Sequence, residues 1–487
     1  MHFAALAWLS AAGLSACSVG PDYLRPSAPV SPQFKEAKGW KITSPSDTLE
    51  RGAWWSIYKD PELSALMSQV EVSNQTVKVA VGAYDEAVAL IREAQAGYFP
   101  TVTDSYSATY AHQGTGASSS SGLTTGRSFT NATFNPAANA TWDIDVWGRI
   151  RRDVESQAAA AQVSAADLQN ATLSEQAALA TAYFNLRAAD SLKALYVATV
   201  DEYKKTLEIT RNQYNAGTAS RADLSAAETQ VLNAEALAIS VGVTRAQDEH
   251  AIAVLIGRPP ADLTLSQGVL ANRPPSIPVT VPSELLERRP DIAAAERTLQ
   301  QENALVGVAV ANFYPTISLT GMFGFAGATP LPITVADEAW SVAGTASQTV
   351  FDGGLLSSQL AAARAAYQQS VADYRQTVLT AFQQVEDELA ALRILQKELA
   401  TQNAAVKEAH IAVQVYLNQY EAGTVSFTTV VTAEATELND EVTALDIRQS
   451  LFVDSVALIE ALGGGWDASL LPSLNGLSTV PTLTPPL

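Results

Sequence analysis

Asn212-Gln-Tyr-Asn-Ala-Gly217-Thr218 returns as Asn418-Gln-Tyr-Glu-Ala-Gly423-Thr424, and this match is one point in a longer one. The whole stretch from Gly148 to Gly257 recurs without a gap, 206 positions later, from Gly354 to Gly463. Gln162/Gln368 and Leu186-Arg187/Leu392-Arg393 hold the same register. A second match, offset by 215, pairs Tyr98-Phe-Pro-Thr101 with Phe313-Tyr-Pro-Thr316. A repeat at fixed spacing is read before any other feature, and it makes the chain a duplication.

Each copy is rich in Ala, Gln and Glu, with neither proline nor glycine between Gly148 and Tyr214 or between Gly354 and Tyr420. Nothing there breaks a helix, and sixty-odd helical residues make a rod of roughly 100 Å. Apolar residues such as Leu168, Leu173, Leu179, Tyr183 and Leu186 fall at helical spacings, so the rods must pack laterally. Gly217 suits a left-handed helix end, and Ser220-Arg-Ala-Asp223 reads as a capping box that opens a return helix. The second copy is expected to repeat this with Gly423 and Ser426.

Ahead of each unit the period changes. After Pro100, Val102, Tyr106, Ala108 and Tyr110 alternate with small polar residues. Beyond a Gly/Ser/Thr-rich linker, Ala132, Phe134, Ala138, Ala140, Trp142, Ile144 and Val146 alternate with polar ones. The second copy offers Ile317, Leu319, Phe323 and Phe325, then Trp340, Val342, Ala346 and Val350, on either side of a loop over 326–339. Four strands with one apolar and one polar face fit a membrane barrel, in which every backbone group is paired across a closed sheet. Four strands do not close alone, because the smallest such barrels have about eight, and three chains would supply twelve. Both strand hairpins turn at one end of a long object and both helical hairpins at the other.

The chain has 487 residues, 47% hydrophobic and 16% charged, with a net charge of −20 that argues against a nucleic-acid partner. Its single cysteine, Cys17, excludes an intrachain disulfide and a cysteine metal cluster. An apolar run from Phe3 to Ala16 ends in Leu14-Ser-Ala-Cys17, which resembles the lipobox of bacterial lipoproteins. That resemblance implies cleavage before Cys17, acylation of its thiol and, with Ser18 next, sorting to the outer membrane. No phosphate-binding glycine loop, paired-histidine helix or nucleophile elbow occurs. The histidines, His2, His112, His250 and His410, are isolated in the sequence, and the carboxylates are expected on solvated helix faces. No enzymatic activity is expected.

Cys17-Ser-Val-Gly-Pro-Asp-Tyr23, Trp54-Trp55, Trp142-Asp-Ile-Asp-Val-Trp-Gly-Arg149, Tyr214-Asn-Ala-Gly-Thr218, Glu287-Arg-Arg-Pro-Asp291, Phe351-Asp-Gly-Gly354 and Ala461-Leu-Gly-Gly-Gly-Trp466 follow one another in this order. In that order they resemble the TolC-like outer-membrane efflux family, in its NodT-type lipoprotein branch. The resemblance implies a mixed α and β membrane protein: a homotrimer whose twelve-strand outer-membrane β-barrel continues into a long periplasmic α-helical barrel. The expected divisions are a signal peptide (1–16), a lipidated arm (17–60) and a first repeat (61–257, with its β-hairpin at 101–147). An equatorial linker (258–282), a second repeat (283–463, β-hairpin at 315–352) and a C-terminal equatorial segment (464–487) complete them.

The implied activity is passive conduction of solutes delivered by a periplasmic adaptor and an inner-membrane, proton-driven transporter, with outer-membrane lipid as surroundings and no cofactor beyond the lipid on Cys17. A duct for a protein exporter and a structural envelope lipoprotein without transport are the alternatives. The family's gate falls on the helical tips, at Tyr214, Gly217, Thr218, Asp223, Tyr420, Gly423 and Thr424, where Tyr420 is expected to bond Asp223. The family often has arginine where Val425 stands and acidic rings where Thr429 and Thr432 stand. Asp223 could equally serve only as the cap of its own helix.

Overall fold

The computed structural model describes residues 19–36, 53–113, 129–277 and 288–479. The expected signal peptide, Cys17, part of the arm, the linker over 114–128, residues 278–287 and the last residues lie outside the described residues.

The repeat is literal in three dimensions. Helices α3 (Arg149–Asn215) and α6 (Leu355–Glu421) have 67 residues each, and α4 (Arg221–Leu255) and α7 (Phe427–Ala461) have 35 each. Every boundary is shifted by the sequence offset. The shorter helices α1 (Pro61–Ser73), α2 (Gln75–Ala96) and α5 (Pro290–Ala311) precede the strands. A short terminal helix, α8 (Leu474–Ser478), packs beside α2 and α3. In each half, two shorter helices lie end to end along one long one: α2 and α4 on α3, α5 and α7 on α6.

In the first half two neighbouring side chains make the joint between the stacked helices: the Ser73 hydroxyl donates to the Ile256 carbonyl at 2.6 Å, and Asn74 bonds on both sides of it. Asn74 breaks the helix between α1 and α2. Its amide nitrogen donates to the Leu255 carbonyl at 2.8 Å, and its oxygen accepts from the Val77 amide at 3.1 Å. One residue thereby closes the carboxyl end of α4 and opens α2, satisfying groups that a helix end leaves unpaired. Arg289, 215 positions on, serves only one of the two ends in the second half: it donates to the Ala461 carbonyl at 2.9 Å, a cation at the negative end of α7, and makes no side-chain cap for α5. Gly257 and Gly463 complete the joints, with φ of 67° and 89°. A Cβ on either would run into the carbonyl of Ser73 or Arg288.

The four strands β1 (Thr101–Gln113), β2 (Phe129–Ile144), β3 (Thr316–Phe325) and β4 (Glu338–Ser347) form one antiparallel sheet in sequence order. Pairs such as Trp142↔Leu319 and Ile144↔Ile317 join the two halves of the duplication. Register places Val102, Tyr106, Ala108 and Tyr110 beside Ala140, Pro136, Phe134 and Ala132. It likewise sets Ile317, Leu319 and Phe323 beside Ala346, Gly344 and Trp340, so one face is largely apolar across all four strands, with Asp104 and Glu338 the charged positions on it. On the other face, Asn135 and Asn139 donate to Ser107 and Ser105. Val350 does not extend that apolar face as its spacing suggested. β4 stops at Ser347, and the chain turns through Asp352, which accepts from the amides of Gly354 and Leu356 and opens α6. β1 and β4 are free edges, with Tyr110 73% and Trp340 70% exposed.

The main core lies where the helix joints meet. Trp54 and Trp55 are buried there, with the Trp54 indole donating to Gln176 at 3.1 Å. Arg187, Asp190 and Arg245 tie residues 265–270 onto α3 and α4 through the Ser266 and Leu265 carbonyls and the Gly268 amide. The arm at residues 19–36 descends from the strand end. The Val19 amide donates to the Trp147 carbonyl, and the Lys35 and Glu36 amides donate to Glu386 of α6. Among the described residues, no helix is long and apolar enough to cross a membrane.

Replacing Asn74 by alanine removes the bonds at both helix ends and is expected to cost about 1–2 kcal/mol. The thermal unfolding midpoint of the detergent-solubilised protein should fall accordingly, while Thr76→Ala on the exposed face leaves it in place. Equal midpoints would discount the joint.

Candidate functional site: the helical tips and the seam above them

At both tips the chain reverses by the same device. Gly217 (φ 80°) and Gly423 (φ 71°) occupy the left-handed region. The Thr218 and Thr424 amides donate to the Gln213 and Gln419 carbonyls at 2.9 Å each, and the threonine hydroxyls reach the same carbonyls. The first tip carries the expected capping box: the Asp223 amide donates to the Ser220 hydroxyl at 3.1 Å, and the Ser220 amide to Asp223 Oδ2 at 3.0 Å. The second does not. Thr429 stands where an acid is needed, and the Ser426 hydroxyl meets only the Thr429 hydroxyl at 3.3 Å.

The two tyrosines of the repeat part company. Tyr214 is 38% exposed, whereas Tyr420 is buried against Phe427, ring centres 5.3 Å apart, in a cluster with Ala227 and Val430. Its hydroxyl is buried and has no hydrogen-bond partner of regular geometry. Burial raises its pKa, the neighbouring Thr210 hydroxyl opposes the shift, and the charge of Asp223 adds to it. Tyr420 and Asp223 are thus neighbours without being bonded. The box engages Oδ2 of Asp223 and leaves Oδ1 available.

Above the tip, α7 carries Phe427, Val430, Glu434, Glu437 and Glu441 at steps of three and four, which is one stripe of the helix. Two carboxylates therefore stand where a packing residue belongs, and Glu434 and Glu437 are only 4% and 7% exposed. The expectation that carboxylates lie on solvated faces fails here, because the stripe is turned toward α3. Thr206 donates to Glu434 Oε1 at 2.7 Å, and the Tyr203 hydroxyl to the Glu434 carbonyl at 3.3 Å. His410 is not isolated either: its Nδ1 lies 2.5 Å from Glu437 Oε1, and its other nitrogen 2.8 Å from the Gln414 amide. The spacing of Glu434, Glu437 and Glu441 on from Phe427 and Val430 was the signal in the sequence.

Burial pushes the Glu434 carboxyl up to about 7, against its bonds to Thr206 and Gln230, and the charges of Glu437 and Glu202 push the same way. Glu441 is pushed up to about 7 by burial and then by Glu437 and Glu202. The bond to Glu437, then its charge, raises His410.

The profile of the family described as outer membrane efflux protein matches residues 66–258 and 281–464. TtgC, the toluene efflux pump outer membrane protein of Pseudomonas putida, is 31% identical over 468 residues, covering 93% of each chain. CusC, a cation efflux system protein of Escherichia coli O6:H1, is 28% identical over 468 residues, 94% of this chain and 97% of that one. The solved outer-membrane channel OprN superposes with a TM-score of 0.84 at 29% identity, over 92% of this chain and 100% of its own.

Proposed function

We propose that this chain, which belongs to the outer membrane efflux protein family, is the exit duct of a tripartite efflux pump. The observation that carries the reading is the sheet: a largely apolar face across four strands, interrupted at Asp104 and Glu338, two edges that no described strand pairs, and long helices leaving its other end. In an apolar layer an unpaired strand edge is costly, so edges pair with other copies of the chain. Three copies close a twelve-strand barrel in the outer membrane, and their helical hairpins close a tunnel that reaches into the periplasm.

Conduction through such a duct is passive, and no cofactor or catalysis enters it. Solute reaches it from an inner-membrane, proton-driven transporter through a periplasmic adaptor that docks on the helical tips. Acylation of Cys17 places lipid two residues before Val19, whose amide is held at the Trp147 carbonyl beside the strand ends. The tips form the resting gate, where Oδ1 of Asp223, which the capping box does not engage, can accept the buried Tyr420 hydroxyl that now lies beside Thr210. A bond to a charged acceptor contributes on the order of 1.5–3 kcal/mol, enough to bias a two-state gate.

Single-channel recording from the purified mature protein in planar bilayers is the test of the duct. Discrete conductance steps from a three-chain particle are expected, and assembled particles that never conduct would sink the reading. In the same recordings Tyr420→Phe and Asp223→Ala should each leak more than the parent, with little further gain when combined. An Asp223→Ala assembly as tight as the parent rules the latch out. Cys17→Ala is expected to lose incorporation of labelled fatty acid while the trimer still forms, because the barrel face anchors it more strongly than acyl chains do. Undiminished labelling would place the lipid elsewhere.

A further inference from the structure

The duplication supplies an internal control for the acidic stripe. In the first helical hairpin the positions equivalent to Glu434 and Glu441 are Glu228 and Glu235, and each has a cation: Arg211 at 3.4 Å and Lys204 at 2.9 Å. In the second hairpin the positions equivalent to Arg211 and Lys204 are Leu417 and His410. Leu417 packs in the tip cluster, and His410 bonds Glu437. Glu434 and Glu441 thus carry the same carboxylates with no cation at the equivalent positions. Glu434 Oε2 is buried without a hydrogen bond of regular geometry.

These groups lie on the seam between the two hairpins of one chain. From α3, Glu202, Tyr203 and Lys205 face it; from α6, His410; from α7, Glu434, Glu437 and Glu441. From α4, the neutral amide of Gln230 lies against Glu434. Four carboxylates thus meet beside one histidine and one lysine, roughly 10–20 Å from the tips along the helices.

We propose that this seam is a proton-operated clamp: bound protons hold the two hairpins together and shut the tunnel end, and their loss loosens it. The clamp rests on the reading of the tips as the gate. With the hairpins apposed, ionised carboxylates are stripped of water and repel one another, and parted hairpins let each ionise in solvent. Every shift has one sign. Glu434 and Glu441 rise from an ordinary 4.5 to about 7, and Glu202 also rises, by burial first and then the Glu437 charge. A carboxylate raised on apposition favours the apposed form at low pH and ceases to do so as pH climbs from the ordinary carboxylate range through about 7. His410, raised from 6.5, contributes fully below that value and loses its contribution above it. Acid therefore closes the clamp, and neutral to alkaline conditions release it. The carboxylates titrate as a coupled set, so the release is spread over pH rather than stepped.

The experiment pairs two readouts on the full-length trimer between pH 5.5 and 8. Hydrogen exchange, compared at matched chemical exchange rates, reads the seam at residues 199–210 and 430–445 whether or not the tips gate conduction. Open probability in planar bilayers reads the gate. The parent should show seam exchange and open probability rising together by roughly tenfold, one pKa unit's worth of linkage. The double variant Glu434→Gln, Glu441→Gln should hold both near the acid level, with only the shallower slope that His410 and Glu202 leave. Glu202→Gln, at the exposed margin of the seam, should reduce the slope without endangering assembly. Parent seam exchange indifferent to pH, or an unchanged slope in Glu202→Gln and in the double variant, overturns the clamp. A seam that responds while conduction stays constant overturns its coupling to the gate.

Discussion

A 67-residue helix offers about 18–19 turns of side chains, and no other single helix in its half of the chain is long enough to cover them. Coverage takes two helices laid end to end, which brings the negative end of one against the start of the next in a buried place. Unpaired carbonyls there would cost about 1–3 kcal/mol each. Ser73 with Asn74, and Arg289 in the second half, reduce that cost, while Gly257 and Gly463 let the backbones approach. The main core gathers around these joints, with Trp54, Phe184 and Phe452 among the side chains between them. The wall can be longer than any of its shorter helices because side chains take up carbonyls where those helices meet.

The sheet solves a different problem by leaving it to other copies. Within one chain the register aligns the apolar residues of all four strands on one face, and a slip of one residue would turn them to the other. The β2–β3 pairing makes the two halves of the duplication one unit. The remaining edges, β1 and β4, are a liability in a lone chain and the means of closure in an assembly.

Much of this was legible in the residues because it rests on period. An uninterrupted helical stretch, a switch to alternation after Pro100 and Pro315, and glycine at each tip are local signals, and each sets a boundary the structure shares. The joints were less legible. Asn74 reads as a helix break, but its second bond, to a carbonyl 181 positions away, depends on which helices stack. Val350 misled because alternation continues for a few residues after pairing stops, and Asp352 turns the chain before its apolar neighbour can be used. The acidic seam was missed for another reason. Glu is abundant on these helices, so composition favours a solvated face, and only its phase relative to Phe427 and Val430 shows that it points inward. His410 has no histidine or cysteine near it in sequence, and its partner lies on the next helix.

Where the two copies differ is as informative as where they agree. Helix lengths, tip glycines and tip threonine bonds have been kept residue for residue, as expected of parts that set dimensions. Four differences in charge and polarity fall within about four turns of the tips. Asp223 answers to Thr429, Arg211 to Leu417, Lys204 to His410 and Val231 to Glu437. The first hairpin holds its carboxylates in exposed ion pairs and closes its return helix with a box. The second turns a tyrosine and two glutamates inward and leaves a hydroxyl and a carboxylate oxygen without regular partners. A symmetric pair of hairpins would have one arrangement and no reason to leave it. Two hairpins of equal length, one satisfied within itself and one carrying unsatisfied groups at the contact between them, are the asymmetry on which the proposed gate and clamp at the tips rest.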